Sequence, residues 1–265
     1  MDMEEMGQII AYLVQHRVVE TKPARRRTND EERAVAKLLL ALAPDERHRL
    51  DRTFVGMRYM LADFDALNVP ALPRGARVFL LARDLANGEP SGILSPKVVI
   101  DGMRYRGRNE PVRESAAWFV HLWLVHLEMI YTDHGRTPST MQRFAEGIFE
   151  FDDFVGRVRE HLEDMRRNVN RHALPESAVF KVFEQATQHE IEGRCRYFVR
   201  LMVDASLLET FDKDVYQQTL LSAFEIKQNY ERGLQSFVTD ANATTHHVAA
   251  SILTRTDATV AEMED

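Results

Sequence analysis

A single cysteine in 265 residues, Cys195, excludes both an internal disulfide and a cysteine-based zinc site built within one chain. No histidine lies close to it in sequence to activate it, so Cys195 reads as a bystander thiol. Nucleotide-cradling loops are lacking too. Gly88-Glu89-Pro90-Ser91-Gly92 has no Lys-Ser/Thr after it, and neither Gly-x-Gly-x-x-Gly nor Gly-x-Ser-x-Gly occurs. Nucleotide hydrolysis and serine hydrolysis therefore have no sequence support. His-x-x-x-His is also absent. His121 and His126, five apart, would point about 140° away from each other on a helix. His246-His247 and Asp152-Asp153 lack further ligands at a metal-binding spacing. The expectation is no metal and no cofactor.

Long apolar runs are missing as well. The longest, near Trp118 to Leu127, is broken by His121 and His126 and is too short to span a bilayer. The first residues, Met1-Asp2-Met3-Glu4-Glu5-Met6, are acidic where a secretory signal is basic, so a cytoplasmic protein is expected. A hydrophobic share of 45% with 28% charged residues fits a globular chain rather than a disordered one. The net charge of −7 argues against nucleic-acid binding by the whole surface. Two local clusters escape that argument: Lys22, Arg25, Arg26 and Arg27, and Arg104, Arg106, Arg108 and Arg113. A solvated loop is the plainer reading of each; a contact to a phosphate backbone or an acidic partner is the functional one.

What is present is mostly helical patterning. Ile9, Ile10, Leu13 and Val14 give a helix over Met3 to Val19, and Asn29 or Asp30 caps a second helix with Val35, Leu38, Leu39 and Leu42. Pro44 opens a third, in which Leu50, Phe54, Met57, Met60, Leu61 and Phe64 recur at threes and fours; Arg74 to Ala86 fits a fourth. Val98-Val99-Ile100-Asp101-Gly102-Met103-Arg104-Tyr105 reads as a β-hairpin, because Asp-Gly suits a two-residue turn between β-branched and aromatic residues. A second hairpin is expected where Leu207 to Phe211 and Val215 to Leu221 bracket Asp212-Lys213-Asp214, although Gln217 to Tyr230 equally suits one continuous helix. Helices followed by a small β-ribbon make a winged-helix unit. The predicted fold is mainly α: a helical bundle with one or two winged-helix units, their wings near 97–106 and 207–221. The expected segments are 1–110, a central helical stretch 111–174, a second unit 175–238 and a polar tail 239–265.

Glu114 to Tyr131 is apolar on more than one face, which places Trp118, Trp123 and Leu127 in a core or a subunit interface. Arg167-Asn168-Val169-Asn170-Arg171-His172 is similar to the motif of the HEPN ribonucleases, which are helical. That resemblance implies metal-independent RNA cleavage across a dimer or domain interface, with His172 moving a proton and Arg167 stabilising phosphate charge. A pair of winged helices in one chain is similar in architecture to the kite subunits of condensin-like complexes, which dimerise. The leading expectation is thus a non-enzymatic adaptor in a DNA-associated, condensin-like or mobile-element or defence complex. It would bind another subunit, a second copy included, and reach DNA through a basic wing. The ribonuclease is the alternative, and a winged-helix transcription regulator, using Arg194, Arg196 and Arg200, is the third.

Overall fold

The structure, a computed structural model, describes residues 2–87, 94–168 and 178–239. In chain order it runs α1 (Met3–His16), β1 (Val18–Glu20), α2 (Asp30–Ala41), α3 (Pro44–Gly56), β2 (Tyr59–Asp65), β3 (Arg77–Arg83), α4 (Pro96–Met103) and α5 (Val112–Leu127). It continues with β4 (Ile148–Glu150), α6 (Phe151–Asn168), α7 (Ala178–Glu184), α8 (Gln188–Asp204), β5 (Leu208–Asp212), β6 (Val215–Gln218) and α9 (Leu220–Thr239). The chain is mainly helical, with two small three-stranded sheets ordered β1-β3-β2 and β4-β6-β5. It divides into two compact units. Unit 1 holds α1 to α3, β1 to β3, the 3-10 stretch Pro138–Glu146 and the first part of α9; unit 2 holds α4 to α8 and β4 to β6.

In unit 1, local chemistry sets the helix ends. Asp2 and Glu5 form a reciprocal capping box at the start of α1, and Asn29 accepts from the Glu32 N–H at 2.6 Å to start α2. Pro44 opens α3 from its first turn. Ile9, Tyr12 and Leu13 of α1, Val35 and Leu39 of α2, and Leu50 and Phe54 of α3 then share one core with Phe79 and Leu81. Two predicted helices are corrected here. Met60, Leu61 and Phe64 do not prolong α3, and Arg74 to Ala86 is not a helix; they supply β2 and β3, paired in register from Tyr59↔Arg83 to Asp65↔Arg77. Arg58, at φ 65°, reverses the chain out of α3, and β1 then pairs with β3 through Val18↔Leu80. Val78 to Ala82 are all buried, so their apolar run shows neither helical nor strand periodicity; the partner strands on both sides decide.

In unit 2, the hairpin predicted at 97–106 is overturned. Ser95 accepts from the Val98 N–H, Pro96 sits in the first turn, and Pro96–Met103 is helix. Gly102 serves close packing instead of a turn: a β-carbon there would stand 3.2 Å from Leu201 Cδ1 on α8. The hairpin predicted near 207–221 is present as β5 and β6, with Asp214 at φ 57° in its turn and β4 pairing antiparallel to β6. Leu220 and Leu221 begin α9 rather than ending a strand. The aromatic core is assembled from α5, β4, α6, α7 and α8: Trp118 meets Phe183 edge-on at 5.1 Å, and Phe154 packs with Phe149 and Phe198. The end of α5 passes into a π-helical turn, Glu128–Thr132. Apart from Thr239, the predicted tail 239–265 falls outside the described residues.

Candidate functional site

Two arginines of the basic cluster at 104–113 are paired with carboxylates. Arg104 pairs with Asp101 at 3.5 Å and Arg106 with Glu190 at 3.1 Å, while Glu110 accepts from the backbone N–H groups of Tyr105 and Arg106. Arg113 remains exposed at the start of α5, and the Arg108 side chain lies outside the described residues. At the centre is Arg194, fully buried. It donates to Glu110 Oε1 at 2.6 Å, to the Met103 carbonyl at 2.5 Å and to Glu190 at 3.1 Å, with its guanidinium 5.4 Å from the Tyr105 ring centre and 5.5 Å from that of Trp118. Burial pushes the Glu110 carboxyl up, but hydrogen bonds from Arg194, the Arg106 N–H and Ser115 outweigh it and hold it below the usual carboxylate range. This knot fixes the loop before α5 onto α8. Sequence reading missed it, although Glu190 and Arg194 share the helical stripe of Ile191, Cys195 and Phe198, an unusual place for two charges.

Unit 1 has its own buried ionic cluster. Arg17, at the left-handed end of α1, donates to Glu225 on α9 and to the Leu81 carbonyl; Arg83 reaches the other oxygen of Glu225 at 2.7 Å. Burial pushes the Glu225 carboxyl up, and the two guanidiniums more than reverse that. The second predicted basic cluster lies on the loop after β1. Arg26 grips the buried Glu32 through both guanidinium nitrogens, at 2.5 and 2.6 Å, and stands 3.5 Å from Glu20; Lys22, Arg25 and Arg27 are exposed. No protein family, curated protein or solved structure matches the chain.

Other predicted residues are placed as follows. Trp118 is wholly buried inside unit 2, as part of its own core where the sequence also allowed a subunit interface; Leu127 is buried and Trp123 half-buried. Arg167 is exposed and paired with Glu163 at 3.2 Å, one helical turn away, and His172 lies outside the described residues. The imidazoles of His121 and His126 are buried among aromatic rings, and that burial lowers both to about 3; the charge on His161 adds to the effect at His121. Among the described residues no three His, Cys, Asp or Glu side chains group as a metal site would require. Burial raises the Cys195 thiol to about 12, which keeps it protonated and unreactive. An open groove lined by Asp133, His134, Asp152, Asp153 and Glu160 contains its own cation, Arg157, bonded to Asp133 and Glu128 at 3.0 Å each. Among the described residues, no helix is long and apolar enough to cross a membrane.

Proposed function

We propose that the chain is a non-enzymatic adaptor subunit of a DNA-associated complex, built from two winged-helix units. The observation that carries this reading is one topology used twice. Unit 1 runs helix, strand, helix, helix, strand, strand (α1, β1, α2, α3, β2, β3), with the last strand central in β1-β3-β2. Unit 2 runs α5, β4, α6, α8, β5, β6, again with the last strand central in β4-β6-β5; the short α7 is an insertion. That order of elements and strands is the one a winged helix would have, and it supports the reading. On this reading the first wing is the β2–β3 hairpin, in place of the 97–106 hairpin expected from sequence. Two such units in one chain are similar to the kite architecture, in which paired winged helices serve as docking modules.

Charge on the third helices favours an adaptor over a sequence-reading regulator. A helix that reads base edges in the major groove offers unpaired donors there. On α3, Arg47 pairs with Asp51 and Arg49 with Asp45; on α8, Arg196 pairs with Glu192 and Arg200 lies 3.7 Å from Asp204. These four arginines are therefore each met by a carboxylate one turn away on the same helix, and on α3 only Arg52 is left without one among the described residues.

The test is native mass spectrometry of the tagged chain, purified at its natural abundance, with a DNA gradient run in parallel. The expected result is a stoichiometric assembly with a second type of subunit, and two copies of this chain within it. A lone monomer that sediments without DNA overturns the proposal.

A further inference from the structure

We infer that Lys22, Arg27 and Arg74 of unit 1 form a contact surface for the phosphodiester backbone of duplex DNA, engaged without regard to base sequence. The inference rests on the proposed association with DNA and adds the place where contact is made. Its geometry begins with two loops stitched together. Thr21 N–H donates to the Arg77 carbonyl at 2.9 Å and Arg77 N–H returns a bond to Thr21 Oγ1 at 2.8 Å, so the loop leaving β1 starts beside the end of the β2–β3 loop. The Lys22 ammonium then lies over Gly75, 3.2 Å from where a β-carbon would stand, next in sequence to Arg74. Gly75 is at φ +71°, so the close approach and the turn both call for glycine.

The charge around these loops is one-sided. No acidic residue occurs between Glu20 and Asp30, nor between Asp65 and Asp84. Carboxylates at the loop bases are already engaged: Glu20 and Glu32 with Arg26, Asp63 with Arg77 and Arg47, and Asp65 with the N–H groups of Leu67 and Asn68. Lys22, Arg27 and Arg74 are exposed and hold no carboxylate among the described residues. Arg26 has a different part. Its two bonds to buried Glu32 tie the loop to α2 one residue before the exposed Arg27. In the cluster at 104–113, Asp101 and Glu190 answer Arg104 and Arg106. Planar guanidiniums suit phosphate oxygens, and on a chain of net charge −7 a local surplus is the only electrostatic route to a polyanion.

The experiment is fluorescence anisotropy of the full chain with a labelled duplex of arbitrary sequence, titrated from 50 to 200 mM salt. Three phosphate contacts give a slope of about −3 for log K against log salt. The triple variant K22Q/R27Q/R74Q is expected to bind at least about 10-fold more weakly with a slope near zero. Its Tm should stay unchanged, because all three side chains are exposed. The inference is overturned if the wild-type chain ignores the duplex at 50 mM salt, or if the triple variant binds as tightly as the wild type. It is also overturned if R49Q/R52Q on α3 removes binding instead, or if an acidic peptide of equal charge competes as well as the duplex. A wild-type chain that copurifies with its second subunit and fails to bind DNA sinks this surface alone. Duplex binding by a chain with no second subunit sinks the adaptor reading alone.

Discussion

Arg194 and Glu110, separated by more than eighty residues in sequence, meet at 2.6 Å with both side chains at 0% exposure. A buried pair of this kind is weak evidence of net stability, but removing one partner strands the other charge in an apolar setting. Arg194→Ala should therefore cost about 3–5 kcal/mol. Urea unfolding followed by tryptophan fluorescence checks this, since Trp118 packs against the guanidinium. Glu110→Gln, which keeps the shape and removes the charge, should also destabilise. Equal midpoints for wild type and both variants would contradict the proposed role of the knot.

Glu225 answers two buried guanidiniums, so Glu225→Gln should release the end of β3. Arg83 N–H donates to Glu225 Oε1 at 2.7 Å, and its hydrogen exchange is the local readout. Exchange at Arg83 is expected to accelerate at least about 10-fold, the equivalent of 1.4 kcal/mol in local opening. Unchanged protection there would show that the cluster does not hold the strand.

Acid should destabilise the fold through two routes of known sign. His121 and His126 titrate near 3 when folded and near 6.5 when unfolded, so the unfolded chain binds more protons between those values. Stability is complete above about pH 6.5 and falls by about 2 kcal/mol per histidine by pH 5. Glu110 and Glu225, whose folded carboxyls are held low, contribute stability above the ordinary carboxylate range that is lost as the pH drops through their folded values. His126→Leu separates the routes. Neither ring nitrogen of His126 has a protein partner, so the variant should keep its neutral-pH stability within about 1.5 kcal/mol and lose one histidine's share of the decline between pH 6.5 and 5. Denaturant midpoints across that pH range decide the matter, and a decline as steep as the wild type's refutes the assignment.

Gly193 lies under the Tyr105 ring, and a β-carbon there would fall within the ring's van der Waals envelope. Alanine usually stabilises a helix interior by about 1 kcal/mol over glycine, but overpacking costs about 1–3 kcal/mol. Gly193→Ala is expected to lower the Tm. Combining it with Tyr105→Ala should cost less than the two single changes added together, because the clash is gone. Strict additivity of the two in thermal melts would exclude the close approach as the cause.

Element ends were read correctly at Asn29 before α2, at Pro44 in α3 and at the polar turn Asp212 to Asp214 between β5 and β6, whereas the equally local Ser95-Pro96 start of α4 was passed over. At Met60 to Phe64 and at 74–86 an apolar run fits either backbone, and the outcome is set by what lies alongside, β3 between two partners; at 97–106 a β-branched run does the same, but there the Ser95 cap and Pro96 also start the helix locally. The basic clusters were visible as composition alone. Nothing near Arg106 in sequence announces Glu190, so which arginines remain outside was not readable.

The amino-acid order alone pointed to the mainly helical character, excluded an internal disulfide, and offered the second hairpin beside a continuous helix over Gln217 to Tyr230, because caps, turn residues and residue inventory act over a few positions. The paired sheets, the two buried ionic clusters and the nearness of the basic loops after β1 and β2 came only from the folded chain. Strand pairing and ion pairing join residues far apart in sequence, and their energies depend on a burial that exists only once the core has formed.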